Sequence, residues 1–337
     1  DLDGEQLCIF KTMIAKRVDQ MPIAYIINKK EFMGLEFYVD ERVLIPRPDT
    51  ELLVEDLVES LADIEDKGQV GPEINVLDMC TGSGAIILSG ASQWKDRKGL
   101  RKDNDKKINF IGVDVSRPAL EVASKNRDSF GLDGVNLIES DLFGQLGAYK
   151  GRLDIIVSNP PYIEDQVIEG LEKDVKDYEP RLALAGGDEG MDFYNKIIEE
   201  AYDYLKPGGK LVFESGHDQA EKILKIGVEK KEFKAIYSLA NLYLDKLDYP
   251  NARKYFLINA SKQANSAYHV GVTYEMEENY TEARKWYQKA LSMGMSESEE
   301  RLKEIRNKKD KIKYKYTEGD KIREDESGKV PGTESYY

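Results

Sequence analysis

The sequence predicts an α/β protein built on a parallel sheet and followed by an all-α C-terminal part, and three observations carry that expectation. Between about residues 74 and 214, short apolar runs alternate with stretches of helical periodicity, the pattern of βαβ units with right-handed crossovers. Turns rich in glycine or proline follow those runs directly, at the strand ends where ligands bind in such sheets. Past residue 228 the strand pattern stops, and aromatic and small residues recur at a fixed spacing, as in helical arrays.

Ile74-Asn75-Val76-Leu77-Asp78 reads as the first strand of the sheet, ending in Met79-Cys80-Thr81-Gly82-Ser83-Gly84, with an apolar helix after it. The charged stretch 94–107 reads as a solvated loop, and residues 108–113 as the next strand, ending at Asp114. Pro118 suits the first turn of the helix that follows, whose inward face is Leu120, Val122 and Ala123. Further strands are expected over 135–138, 153–157 and 210–214, the last introduced by a Pro207-Gly208-Gly209 turn, with a helix over 193–205.

A chain of 337 residues, 41% hydrophobic and 33% charged, is long enough for two domains with a real core. No apolar run approaches the roughly 20 residues of a spanning helix and no secretory pattern opens the chain, so the cytoplasm is the expected location. Cys8 and Cys80 are too few for a disulfide framework and have no metal-ligand spacing to His217 and His269, so no structural metal is expected. A formal net charge of -14 repels phosphate backbones, which favours a protein or small-molecule partner over a nucleic acid. The chain opens at Asp1, without methionine and in mid-pattern, and reads as a fragment or a trimmed chain.

The most informative residues are Asn159-Pro160-Pro161-Tyr162, directly after the run 153–158. Two prolines fix φ and donate no N–H, so the loop is stiff and its carbonyl oxygens stay free to accept. The Asn159 side-chain oxygen and the Pro160 carbonyl can each take one N–H of a substrate –NH2 group, with the Tyr162 ring as a flat wall. The plain alternative is a Pro-Pro turn without function. Thr81-Gly82-Ser83-Gly84 clears side-chain bulk where a strand meets a helix, and Asp114 at the next strand end can accept both hydroxyls of a ribose. A nicotinamide dinucleotide is the weaker candidate, because the third glycine of its fingerprint and a second mononucleotide-binding half are both missing. S-adenosylmethionine carries no phosphate and fits better.

Residues from about 17 to 219 resemble the HemK-type release factor glutamine methyltransferases. The resemblance rests on Pro22-Ile23-Ala24-Tyr25-Ile26, on Phe32, Gly34, Leu35 and Phe37, and on Val43-Leu44-Ile45-Pro46-Arg47-Pro48-Asp49-Thr50-Glu51. It continues through Val76-Leu77-Asp78 to Gly84, Asp114-Val115-Ser116, Ser158 to Ile163, Glu179-Pro180, Gly186-Gly187-Asp188-Glu189-Gly190 and Glu214-Ser215-Gly216-His217-Asp218-Gln219. It implies a Rossmann-like class I S-adenosylmethionine-dependent sheet and N5-methylation of the Gly-Gly-Gln glutamine of peptide chain release factors. Thr81, Gly82, Ser83, Gly84 and Asp114 would bind the cofactor, with Cys80 beside them and Leu142 where some members place a tryptophan against the adenine. Asn159 would serve both ligands, and Pro160, Pro161 and Tyr162 would shape the glutamine slot. Arg47 and Asp49 to Glu51 would hold the hairpin against the site, a helix cap with solvated charges being the plain alternative for Thr50 and Glu51. Cys80 reads as a small buried filler rather than a reactive thiol.

Two other enzymes share the tetrad. Adenine N6-methyltransferases want a basic duplex-binding surface, which this acidic chain does not show. The sister family that methylates a ribosomal-protein glutamine uses much the same motifs, including a cysteine before the Thr-Gly turn.

After Gln219 the family would add a helix and two strands, and no such strand pair is recognisable here. Instead Ala240, Tyr243, Tyr249, Ala252, Tyr255 and Phe256 recur 31 residues later as Gly271, Tyr274, Tyr280, Ala283, Trp286 and Tyr287. Together with the pattern from Ala283 to Ala290, Gly294 and Leu302, this resembles Sel1-like tetratricopeptide repeats, which bind peptides or partner proteins. The expected domains are 1–62, a remnant of a helical N-terminal domain (one helix, 6–20) with a β-hairpin; 63–226, the methyltransferase core; 227–306, the repeats; and 307–337, a frayed helix end and disordered tail. A catalytically impaired methyltransferase remnant acting as a protein-binding scaffold is the alternative function.

Overall fold

The computed structural model describes residues 3–66, 73–99, 107–216, 218–230 and 232–310; His217, most of the expected 94–107 loop and the tail from 311 lie outside them. The chain divides into two compact units, Asp1–Lys230 and Lys231–Tyr337.

The first unit opens with α1 (Gly4–Val18), started by a reciprocal cap between Asp3 and Gln6. After α2 (Ile23–Ile27), β1 (Lys30–Phe32) and β2 (Leu35–Phe37) pair antiparallel. Their two-residue turn puts both Met33 and Gly34 at positive φ, as the right-handed twist of a tight hairpin requires. A 3-10 turn, Pro48–Thr50, leads into α3 (Glu51–Asp66). Then come β3 (Glu73–Met79), α4 (Ala85–Gly99), β4 (Lys107–Asp114), α5 (Arg117–Ser129), β5 (Asn136–Glu139) and β6 (Leu153–Ser158). Three single turns follow, α6 (Asp165–Ile168), α7 (Lys173–Lys176) and α8 (Arg181–Leu184), then α9 (Asp192–Tyr204), β7 (Leu205–Phe213) and α10 (Ala220–Glu229).

The five main strands are all parallel, in the order β5-β4-β3-β6-β7. Both faces are covered, which is why β3 and β6 are buried almost throughout instead of alternating. Ile74, Val76, Ile155 and Val157 pack with Leu57 and Leu61 of α3, Ile87 of α4 and Val122 of α5. The alternate residues Leu77, Met79, Ile111, Val113 and Ile156 pack on the opposite face with Phe143, Leu146 and with Ile197 and Ala201 of α9. The strand order reverses between β3 and β6, so their carboxyl ends splay around a crevice.

Two expectations are corrected. Residues 94–99 are helical, not loop: Ile87, Ala91 and Trp94 fall on one side of α4 and are all buried, and the Trp94 anchor carries the helix past the apolar run. The last strand starts at Leu205, not 210, and ends at Phe213. Its pairing jumps from Leu153↔Leu205 to Ile155↔Lys210, so Pro207-Gly208-Gly209 is a bulge inside the strand, with Gly208 at φ +83.

The second unit is helical among its described residues: α11 (Phe233–Asp245), α12 (Tyr249–Asn259), α13 (Ala264–Met276), α14 (Tyr280–Ser292) and α15 (Glu297–Glu304). The pair α13–α14 matches α11–α12 at the 31-residue spacing in detail. Leu247 and Glu278 both take positive φ, and Asp248 and Asn279 cap α12 and α14 through their side chains. Ala252 and Ala283 are fully buried, and a Cβ on Gly271 would lie 2.7 Å from the Tyr287 ring, so the small residues mark where helices cross closely.

Candidate functional site

The carboxyl ends of β3, β4 and β6 meet at one cleft that opens to solvent. Cys80, Gly82, Asp114, Leu142, Asn159 and Pro161 line it, joined by Arg42, Val115 and Phe193. Residues brought together from positions 42 to 193 thus include six of the eleven expected from sequence.

The turn after β3 is shaped by backbone chemistry. Cys80 and Gly82 take φ +64 and +55, and space beside Gly82 is open, with no atom within 4 Å of where a Cβ would stand. Asp114 fixes the turn, one carboxylate oxygen accepting the Gly82 N–H at 2.9 Å and the other the Ser116 N–H at 2.8 Å. Burial raises the Asp114 pKa above the ordinary carboxylate range, against those backbone hydrogen bonds. Each of its oxygens keeps a lone pair for a hydroxyl donor. Thr81, Ser83 and Gly84 do not line the cleft: Thr81 turns inward and donates to Asp78 Oδ2 at 2.6 Å, and a Cβ on Gly84 would strike Leu88 at 2.7 Å. They build the turn rather than face a ligand. Asp78 is fully buried, and desolvation lifts its pKa to about 7 despite the Thr81 hydroxyl. Burial also pushes the Cys80 thiol up, so it is not a thiolate.

Asn126 of α5 is a residue that sequence reading missed. It donates to Ser83 O at 3.0 Å and Tyr38 O at 3.1 Å and accepts the Tyr38 N–H at 2.7 Å. One buried amide therefore ties the glycine turn to the segment after the hairpin.

The Asn159 tetrad begins where β6 ends. Ser158 Oγ donates to Met79 O at 2.6 Å and locks the ends of β6 and β3 together. Asn159 Nδ2 donates to Thr50 Oγ1 at 3.3 Å. Thr50 is buried and Glu51 accepts the Met33 N–H at 3.2 Å, so neither is a solvated charge or a free cap. Arg47 forms a close ion pair with Glu179, a buried carboxylate 132 residues away, and ties the segment after the hairpin to the stretch that follows the tetrad.

Pro160 is buried and Tyr162 half-buried, and neither lines the cleft; the Tyr162 ring packs against the cluster of Met191, Tyr194, Ile198 and Ile223. The glycines of the 186–190 stretch explain themselves here. A Cβ on Gly186 would lie 2.7 Å from Tyr162 Cα, and one on Gly190 2.2 Å from Tyr162 O. Only hydrogen fits in that wrap. Gln219, also missed as a functional residue, straps the corner from behind by donating to Tyr162 O at 2.9 Å and Gly190 O at 3.1 Å.

A methyltransferase-domain family model matches residues 71–308. The release factor glutamine methyltransferase of Clostridium acetobutylicum is 42% identical over 237 residues, 70% of this chain and 76% of the relative. That of Geobacter sulfurreducens is 39% identical over 66% of this chain and 70% of the relative. A solved ribosomal protein L11 methylase from Lactobacillus delbrueckii subsp. bulgaricus covers 55% of this chain and 69% of its own, at 18% identity and a TM-score of 0.33, too loose a superposition to carry weight. With a parallel class I methyltransferase sheet, a glycine turn and an acid at the next strand end, the chain belongs to the release factor glutamine methyltransferase family.

Proposed function

We propose that this chain transfers the methyl group of S-adenosylmethionine to the side-chain nitrogen of a glutamine, that of the Gly-Gly-Gln loop of a peptide chain release factor. The observation that carries the reading is that Asn159 and Pro161 line the same cleft as Gly82 and Asp114, so a donor-binding turn and an amide-accepting corner share one space. The names of the relatives support the substrate. A release factor substrate, found where translation ends, supports a cytoplasmic location.

The residues fit the donor: Gly82 leaves room against the backbone, Asp114 offers oxygens to ribose hydroxyls, and Leu142 and Phe193 give apolar walls. Cys80, Thr81, Ser83 and Gly84 hold the turn in shape. Bound S-adenosylmethionine supplies an electrophilic methyl group on a sulfonium. An amide nitrogen is a poor nucleophile because its lone pair is delocalised, so this chain's task is chiefly positioning. Asn159 Oδ1 and the Pro160 carbonyl accept the two N–H groups and aim the lone pair, the stiff Pro160-Pro161 corner keeps them still, and Tyr162, outside the cleft, braces that corner through its packing on Met191 and Tyr194. Orientation of this kind is worth on the order of 7 kcal/mol or more, and fixed acceptors around the developing N–H charge add to it.

The domain division 1–62, 63–226, 227–306 and 307–337 is part of the proposal, as is the assignment of α11 to α15 to Sel1-like tetratricopeptide repeats that hold a peptide or partner protein. The 31-residue match of caps and crossings supports it. The test is calorimetry with S-adenosylhomocysteine, followed by methyl transfer to a release factor and to its Gln→Ala variant. Binding with transfer to the first substrate alone supports the reading. Binding without transfer favours the scaffold, and transfer to a ribosomal protein in place of the release factor favours the sister activity.

A further inference from the structure

Asn159 can present either its oxygen or its nitrogen to a substrate, and the proposed reaction works only if the oxygen faces the incoming amide. Something must decide the flip. Thr50, buried in the 3-10 turn Pro48–Thr50, has its Oγ1 3.3 Å from Asn159 Nδ2. Glu214 follows Phe213, the strand partner of Ser158. Its backbone is fixed twice, by its own N–H donating to Ser158 O at 3.0 Å and by the Tyr194 hydroxyl donating to its carbonyl at 2.8 Å. That holds its side chain beside the residue following Ser158. Burial raises the Glu214 carboxyl pKa while Thr50 and Asn159 beside it hold it down, and its Oε2 is buried without a partner.

We propose that Glu214 and Thr50 are positioning residues that lock the Asn159 carboxamide with its nitrogen turned away from the substrate and its oxygen toward it. The inference rests on the glutamine-methylation reading above and names what makes Asn159 competent for it. An ionised carboxylate has no proton to give and only accepts, so it selects the NH2 end of Asn159. The single Thr50 proton goes to Glu214, leaving a hydroxyl lone pair for Asn159. Both N–H bonds of the Asn159 nitrogen are then directed away from the acceptor slot, and flipping the amide would set its oxygen against a buried carboxylate.

The groups facing Glu214 are Arg47 and Asp49 from the turn, Tyr162 from the tetrad and Tyr194 from α9. Burial raises the Glu214 pKa, Asp49 adds to that, and Thr50, Asn159 and Arg47 oppose it. The orienting form is the charged one. Turnover therefore falls as pH drops through a pKa above the ordinary glutamate value, while the enzyme is still folded.

The test uses the full chain, labelled with 15N. The Asn159 side-chain NH2 signal, identified by its loss in Asn159→Ala, is expected to exchange slowly in the wild type and about tenfold or more faster in Thr50→Val and Glu214→Gln. In parallel, Glu214→Gln should lower kcat about 10- to 100-fold at neutral pH, as small misplacements of a positioning group do. It should also flatten the acid limb of the kcat profile and leave S-adenosylhomocysteine affinity within about threefold. Thr50→Ser should restore what Thr50→Val loses. Wild-type exchange and kcat in both variants would overturn the proposal, as would a loss of kcat matched by an equal loss of S-adenosylhomocysteine affinity or of melting temperature. Should Glu214→Gln fail to fold, the Thr50 pair decides. Absence of methyl transfer by the wild type would refute the proposed function instead, and the NH2 exchange then reads the orientation by itself.

Discussion

Replacing Gly190 with alanine should separate the tetrad from its support more sharply than any change inside the cleft. The new Cβ would stand 2.2 Å from Tyr162 O and 2.4 Å from Gln219 Nε2, on a backbone held at φ +67. The left-handed conformation costs a non-glycine residue about 1–2 kcal/mol. Displacing Gln219 breaks its bonds to Tyr162 O and Gly190 O, each worth about 1 kcal/mol net. The sum is about 3–4 kcal/mol. For a unit of this size about 2–4 °C of melting temperature accompanies each kcal/mol, so the drop should be on the order of 10 °C. Gly208→Ala is the control, because its φ is +83 but no atom lies within 4 Å of the added carbon. It should lose only the conformational term, about 1–2 kcal/mol. Calorimetric melting of both variants, with methyl transfer measured well below the transition, makes the comparison. Equal melting temperatures with unimpaired transfer by Gly190→Ala would refute the claim that this glycine is demanded by the Tyr162 carbonyl.

Further outcomes follow from the same contacts. Asn159→Ala should abolish turnover while S-adenosylhomocysteine affinity is reduced but measurable by calorimetry; full transfer activity would reject its role. Asn126→Ala removes three hydrogen bonds between α5, the glycine turn and Tyr38, and should destabilise the first unit by about 2–4 kcal/mol in urea titrations. Asp78 has a folded pKa of about 7 against 3.8 for the free group, so its ionisation opposes folding. Its share of stability is present in acid and is lost as pH rises from about 4 through 7. Asp78→Asn should remove that decline and raise stability at pH 8 by up to a few kcal/mol, read as the variant-minus-wild-type difference in urea midpoint across pH.

The sheet and the two loops at its switch point were legible because their signals are local. An apolar run, the glycines after it and the Asn-Pro-Pro-Tyr corner occupy consecutive positions, and strand ends converge wherever βαβ units repeat. Trp94 escaped because a charged helix face looks like a solvated loop until its apolar side is counted by turns. Pro207-Gly208-Gly209 looked like a turn because a bulge uses the same residues. Asn126, Gln219 and Glu214 were unreadable as parts of the site for another reason: their partners, Tyr38, Tyr162 and Thr50, lie far off in sequence. A polar residue on a helix or after a strand carries no mark of a bond that only the fold creates. The five glycine-turn residues were expected to contact a ligand alike, yet only Cys80 and Gly82 face the cleft.

The most direct measurement locates the transferred methyl group. Wild-type chain, S-adenosylmethionine and a release factor are incubated together, and fragment-ion mass spectrometry maps the modified atom. A methyl group on the glutamine side-chain nitrogen of the Gly-Gly-Gln loop, absent with Asn159→Ala, is the predicted result. A methyl group on any other side chain, or its persistence in the Asn159 variant, would contradict a site in which this corner holds the acceptor amide.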